Sequence, residues 1–245
     1  MGTSDADDRI DGRRARWDDH KRERRTAILD AAIEVIEAHE AGAEIHVQEI
    51  AERAGIARPV IYRHFADRSD LDRAVQQRAI EMLLDELDLV ALLEGTIGDV
   101  IDRIVGTYVA WAGSHPALHR IGVREGLGNS GSPLRGAIEG VADVIRPLIQ
   151  AGAEQFGATL TQDDLDSLDL LVFALVSSVV GAVRLWLSRP ERLPTPEALT
   201  RLLADNVWFQ LQGLARTRGG DIDPRGPIAD IVVAALAARV DAEPS

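Results

Sequence analysis

Cysteine is missing from all 245 residues of this chain. That removes disulfides, thiolate metal ligands and cysteine nucleophiles together, and it agrees with a reducing cytoplasm. Lysine is almost missing too: of the 27 lysines and arginines only Lys21 is a lysine, a bias that fits a high-GC bacterial genome. No glycine-rich phosphate loop and no paired-carboxylate motif falls in a strand-turn-helix setting, so the sequence gives no footing for an enzyme. The first residues lack an apolar signal core and are acidic and arginine-bearing, so neither a secretory leader nor a transit peptide is expected. There is no internal repeat, and no low-complexity tract beyond a general richness in alanine and arginine. Positive charge is short overall, the net being −13, so any contact with nucleic acid has to be local rather than a uniformly basic coat.

What is present is helical periodicity. A hydrophobic content of 46% over this length supports a sizeable core, and the pattern suits an all-α protein with a small head and a larger helical body. Residues 1–20 have no apolar period and read as a flexible arm, with a minor-groove contact as the alternative. Arg22 to Glu40 carries Ile28, Leu29, Ala32, Ile33 and Ile36 at helical spacing. Asp67 to Leu71 reads as a turn in which Ser69 caps a long helix reaching to Leu93. Further helices are expected over Thr96 to Gly113, Pro116 to Leu127, Pro133 to Phe156 with a bend near Pro147, Asp163 to Ser188, and Glu197 to Thr217. Gly219 to Pro227 is rich in turn residues, and Ile228, Ile231, Val232, Ala235, Leu236 and Val240 recur in a closing helix. The domain division is therefore an arm at 1–20, a head at 21–68, a body at 69–218, and a linker with a last helix at 219–245.

The segment Asp163 to Ser188 is the most apolar. Spanning a bilayer needs about 20 apolar residues, and Asp169 and Arg184 cut this run short, so a membrane helix is not expected. An element apolar nearly all round is buried on two sides. One side is the protomer's own core and the other a second copy, which places Val176, Val179, Val183 and Trp186, with Val207 and Leu211 of the next helix, in a four-helix interface of a homodimer.

Residues 46–65, HVQEIAERAGIARPVIYRHF, are the most informative stretch. Ile50, Ala51 and Ala54 share one helical face, Gly55 suits a turn with positive φ, and Ile56, Val60 and Ile61 reopen an apolar stripe. Ala51 is small where a second helix has to cross. This is the pattern of a helix-turn-helix, whose second helix enters the major groove of DNA. Local charge agrees: from Arg13 to Ala66 ten basic residues balance ten acidic ones, so the head is neutral and the acidic excess lies elsewhere.

The stretches AILDAAIEVI and VQEIAERAGIARPVIYRHFADRSDL resemble the DNA-binding domain of the TetR family of bacterial transcriptional regulators, over about residues 22–72. Tyr62, His64 and Phe65 stand in the family's tyrosine, x, histidine, phenylalanine stretch. Ala57 replaces the family's usual serine before the reading helix, and His46 its usual capping threonine. The resemblance implies a ligand-responsive regulator, most often a repressor, that binds a palindromic double-stranded operator as a dimer and is released by a small-molecule effector. Ligand binding in the body would move the helix after the head and change the separation of the two reading helices.

On that reading Arg58 and Arg63 are candidates for base edges or nearby phosphates, Tyr62 and His64 for backbone contacts, and Pro59 for an apolar contact. Gln48, Arg68 and His46 are phosphate candidates. Tyr62 also reads as a core ring with a wet hydroxyl, and Phe65 as core. Met82, Tyr108, Trp111 and Phe173 are candidate walls of an effector pocket, with Ser177, His119 and Arg124 as polar anchors, which suits a hydrophobic or amphipathic effector. The same aromatics also read as solid core. His115 and His119 have the i, i+4 spacing of a metal pair, with Glu125 as a third ligand, so a metal-sensing regulator is the alternative, as is one with no effector. No cofactor is expected.

Overall fold

A computed structural model of the chain describes residues 4–40, 42–87, 94–123 and 131–242, with side chains described from residue 20 to residue 235 within those spans. Among the described residues there are eleven helices and no strand: α1 (Ser4–Glu37), α2 (Val47–Arg53), α3 (Arg58–His64), α4 (Arg68–Glu86), α5 (Ile97–Ser114), α6 (Pro116–Gly122), α7 (Pro133–Gln155), α8 (Gln162–Asp166), α9 (Leu168–Leu187), α10 (Pro196–Thr217) and α11 (Ile228–Ala242). The all-α expectation holds. The chain divides into two compact units, Met1–Ala79 and Ile80–Ser245.

The head is built as its sequence dictates. Ile28, Ala32, Ile36, Ile50, Ala51, Ile61 and Phe65 are all buried, with Ala51 fully so at the crossing. Gly55 has φ +65° and closes α2 in a six-to-one turn: Ile56 N donates to Ala51 O at 2.9 Å and Gly55 N to Glu52 O at 3.1 Å. Glu49 accepts from the His46 amide at 3.0 Å, which satisfies one free donor at the start of α2. Polar ties join α1 and the turn after it to α2: Arg53 Nε donates to Glu34, and His39 Nε2 meets Glu49 at 3.1 Å.

Three expectations about the head change. α1 begins at Ser4, well ahead of Arg22, so the stretch expected as a flexible arm is helical. Residues 4–21 hold no proline and one glycine, and Asp5, Asp7 and Asp8 fall in its first turns, where the helix dipole favours acid. The lack of an apolar period therefore does not mark the absence of a helix. Secondly, α4 is capped by Asp67, not Ser69: the Asp70 amide donates to Asp67 Oδ1 at 2.8 Å, while Asp70 accepts from the Ala66 amide at 2.9 Å. Thirdly, the unit boundary falls inside α4, because Leu71, Val75 and Ala79 are buried and belong to the head.

In the body, α5 packs on α10, and α7 packs on both α9 and α11. The expected long segment from Asp163 is broken at Ser167 into α8 and α9, with Thr161 capping α8 by accepting from the Asp164 amide. α7 runs unbroken through Pro147. The start of α5 is tied to the segment before α11: Ile97 N donates to Gly226 O, Gly98 N to Pro224 O, and Ile228 N to Gly95 O, each at 3.1 Å. Around these bonds Ala151, Ile228, Ile231 and Ala235 form a small core covered by Ile97, Val100, Leu148 and Phe156. The ends expected for the helices at Leu93 and Leu127, and the Gly128–Ser130 part of the expected breaker, lie outside the described residues.

Candidate nucleic-acid interface

α3 has a buried side and a bare one. Ile61 and the following Phe65 point into the core, whereas Arg58, Pro59, Tyr62 and Arg63 are exposed together. Proline in the first turn costs no hydrogen bond, and Val60 N donates to the Ala57 carbonyl at 2.8 Å, so α3 starts without needing a side-chain cap. The Arg58 guanidinium lies over the Tyr62 ring, 5.9 Å from its centroid, which holds both long side chains on the same bare surface.

The C-terminal end of α3 is fastened rather than free. Arg25 Nη1 donates to the His64 carbonyl at 2.6 Å, and its guanidinium lies 4.1 Å from the centre of the Phe65 ring. His64 is half-buried, and its Nδ1 is buried with no hydrogen-bond partner among the described residues. Burial, then the charges of Lys21, Arg24 and Arg25, push its pKa below the usual histidine value. His64 is therefore a neutral imidazole at physiological pH, able to hydrogen-bond a phosphate but not to bring charge to it.

The remaining head candidates separate. Gln48 and His46 are exposed, and Gln48 Nε2 donates to Glu52 at 2.8 Å. Arg68 also serves as a structural tie. Its Nε donates to Asp72 at 2.7 Å and its Nη1 to the Ile45 carbonyl at 2.8 Å, which joins the start of α4 to the loop before α2. Sequence reasoning missed this because the partner carbonyl lies 23 residues away and carries no side-chain signal.

In the body, Tyr108, Trp111 and His119 are buried, and the Tyr108 hydroxyl lies 2.8 Å from His119 Nε2. The candidate wall residue Tyr108 and the candidate anchor His119 therefore satisfy each other. Met82 and Phe173 are half-buried; the Ser177 hydroxyl donates to the Phe173 carbonyl of its own helix; Arg124 and Glu125 lie outside the described residues. The His115 ring packs against Trp111 at 5.4 Å between centroids. No group of three metal-ligating side chains occurs among the described residues. An open depression of about 640 Å³ lies elsewhere, lined by Glu94, Gly95, Asp99, Asp102 and Arg103.

Burial, helped by the charge of Arg184, lowers the His119 pKa to about 4. The folded body therefore favours neutral histidine while the unfolded chain takes up a proton near pH 6.5, so this part of the stability is complete above 6.5 and drains away as the pH falls towards 4. Replacing His119 with leucine should flatten the fall of the thermal midpoint across that window. Parallel curves for the two proteins would show that the group does not titrate with unfolding.

Two dimer candidates are corrected as well. Val183 is 0% exposed and Trp186 3%, with Trp186 Nε1 donating to the Pro194 carbonyl at 2.9 Å, so both belong to the protomer's own core. Val176, Val179, Val207 and Leu211 are half-buried. The bare apolar side chains are instead Leu170 (66%) and Leu185 (58%) on α9, and Leu202 (60%) and Phe209 (68%) on α10. α9 is long and apolar enough to cross a membrane by length and composition alone.

A closed three-helix head that presents one short basic helix, followed by a larger helical body, defines a helix-turn-helix regulator. The profile of the bacterial regulatory proteins of the tetR family matches residues 28–75. A helix-turn-helix type transcriptional regulator of Mycobacterium tuberculosis is 26% identical over 212 residues, covering 86% of this chain and 87% of that protein. Among solved structures, a tetR-family transcriptional regulator from Streptomyces coelicolor superposes with a TM-score of 0.56 at 24% identity, covering 89% of this chain and 98% of the other. The regulator FadR from Bacillus subtilis, solved in complex with stearoyl-CoA, superposes at 0.54 with 16% identity, covering 74% and 96%. Residues 28–75 thus match the DNA-binding domain of the tetR family of bacterial regulatory proteins, and most of the chain is similar to transcriptional regulators rather than to enzymes.

Proposed function

We propose that this regulator is a cytoplasmic repressor that binds a palindromic operator as a homodimer through α3 and is released by a hydrophobic or amphipathic small molecule. The observation that carries the reading is the bare face of α3: Arg58, Pro59, Tyr62 and Arg63 stand out together from a head whose other apolar groups are packed away. Two such helices on one palindrome add their free energies, where a single one buries too little surface to be selective. Arg58 and Arg63 supply base-edge and phosphate contacts, and Tyr62 and His64 neutral backbone contacts. The exposed apolar residues of α9 and α10 support a second copy as the occupant of that face, and with it a soluble location.

The reading of the effector is supported by the burial of Tyr108 and Trp111 within the body, and by the acyl-CoA held by the structurally similar FadR. Input reaches the head through α4, which runs from one unit into the other.

Selection of bound fragments from genomic DNA, followed by a gel-shift titration at fixed salt, tests the reading. Arg63→Ala should weaken specific binding by about 1–3 kcal/mol, or about 5- to 150-fold, and relax the base preference at one position of each half-site. Unchanged operator affinity would remove Arg63 from the interface. Stearoyl-CoA and related long-chain compounds should release the DNA. A screen in which only polar metabolites do so would overturn the effector class.

A further inference from the structure

The least expected element is the first half of α1. Helix continues upstream of the three-helix core to Ser4, and its sequence is sharply zoned. Residues 13–25 hold seven basic side chains (Arg13, Arg14, Arg16, Lys21, Arg22, Arg24, Arg25) against Asp18, Asp19 and Glu23, while residues 5–11 hold four aspartates against Arg9. In a chain of net charge −13 this is a local concentration of positive charge.

Its place in the head is fixed at one end. Arg25 is bonded to the carbonyl that ends α3 and lies over Phe65, and Lys21 and Arg24 are close enough to His64 to disfavour its protonation. Residues 20–24 are exposed. The basic zone thus starts at the C-terminal end of the reading helix and runs away from it along a continuous helix. From residue 25 back to residue 13 the rise is about 18 Å, the axial length of about five nucleotides of one strand.

We infer that residues 13–25 of α1 form a second DNA-binding element, a basic helical outrigger that lies along the phosphate backbone beside the half-site read by α3. The inference rests on α3 being the reading helix. The partner is duplex DNA because the charge is arginine-rich and begins at the end of the base-reading element, and because the stretch holds only Ala15 and Trp17 as apolar residues for docking a protein. The contact carries no sequence information. It adds counterion release, so it raises affinity and makes the footprint longer than the palindrome. The aspartates of residues 5–11 limit this attraction to the basic zone, because that end of the helix repels phosphate.

The test uses the full chain and a duplex selected from genomic DNA, in one form trimmed to the palindrome and in another extended by about ten base pairs, one helical turn, on each side. Wild type should bind the extended duplex more tightly than the trimmed one. Arg13→Ala, Arg14→Ala and Arg16→Ala combined should abolish that difference. The triple variant should also reduce the slope of log K against log salt by about 0.9 for each phosphate it no longer neutralises, with about tenfold or greater weakening at low salt. Alanine is at least as good a helix former as arginine, so unchanged circular dichroism is expected.

A control variant, Arg120→Ala with Arg146→Ala and Arg225→Ala, removes the same charge from the body and should leave slope and flank dependence as in wild type. The proposal is overturned if the head triple variant keeps the wild-type slope and flank preference, or if the control loses as much. Failure of the wild-type protein to bind any selected duplex would sink the reading of α3 itself, a result distinguishable from either.

Discussion

Phe65→Ala should unfold the head and abolish operator binding while leaving most of the helical signal of the body in place. Phe65 is 1% exposed and is among the largest fully buried side chains of the chain. Truncating such a ring to a methyl costs about 3–5 kcal/mol, whereas a whole domain holds about 5–15 kcal/mol of stability and a head of this size lies at the low end. Two further interactions go with it. Arg25 loses the aromatic face beneath its guanidinium, and the bond from Arg25 to the His64 carbonyl loses the ring that orients it. Calorimetry should show the transition of the head displaced to a much lower temperature or gone, with DNA binding lost in parallel. A variant that melts like wild type and still shifts operator DNA would show that the ring is not a structural keystone.

The second large effect is expected at the opposite pole. Leu202→Glu with Phe209→Glu should yield a folded monomer that has lost operator affinity by about a thousandfold or more. Both side chains are more than half exposed in the protomer, so placing carboxylates there costs the isolated chain little. In a homodimer through α9 and α10 the four carboxylates per pair would be taken out of water without partners. Each such burial costs several kcal/mol, and about 4 kcal/mol already means a thousandfold in association. Sedimentation velocity should report a single protomer, and the thermal midpoint of the monomer should be insensitive to concentration. A variant that remains dimeric and binds the operator as before would place the association surface elsewhere.

What the sequence disclosed depends on how local the determinants are. The turn at Gly55, the small Ala51 beneath the crossing helix and the apolar phase of Ile50, Ile56 and Ile61 are all set within about fifteen residues, and they read correctly. The burial phase of α9 does not, for the opposite reason. From Leu170 to Val183 no charge breaks the run, so the sequence has no polar side from which to tell inward from outward. Periodicity alone therefore sets Val183 and Trp186 on the wrong face and hides Leu170 and Leu185. On α10 the polar Asp205 and Asn206 share the exposed side with Leu202 and Phe209, a cue that the expectation of Val207 and Leu211 at the interface passed over.

Other differences come from interactions between distant parts of the chain. Arg68 looks free for phosphate because nothing near it in sequence announces the Ile45 carbonyl. Tyr108 and His119 both stand out as polar features of the body, but their hydrogen bond depends on the turn between α5 and α6 folding one over the other. The cap of α4 is a choice between near neighbours. Asp67, Ser69 and Asp70 can all accept an amide. The decision falls to Asp67 because the chain leaves α3 in an extended conformation at Phe65, with φ −130°, and is ready to re-enter a helix only three residues later.

The bonds that tie Gly95, Ile97 and Gly98 to Pro224, Gly226 and Ile228 also order events during synthesis. They close a loop of about 130 residues, an arrangement that is slow to form because the entropy of closure is lost before the favourable interactions are gained. The Ile97 side of the small core stays uncovered until translation has passed Ala235. The first 79 residues, whose packing is short-range in sequence, need not wait, so a nascent chain would carry a finished reading head while its helical body is still unable to close.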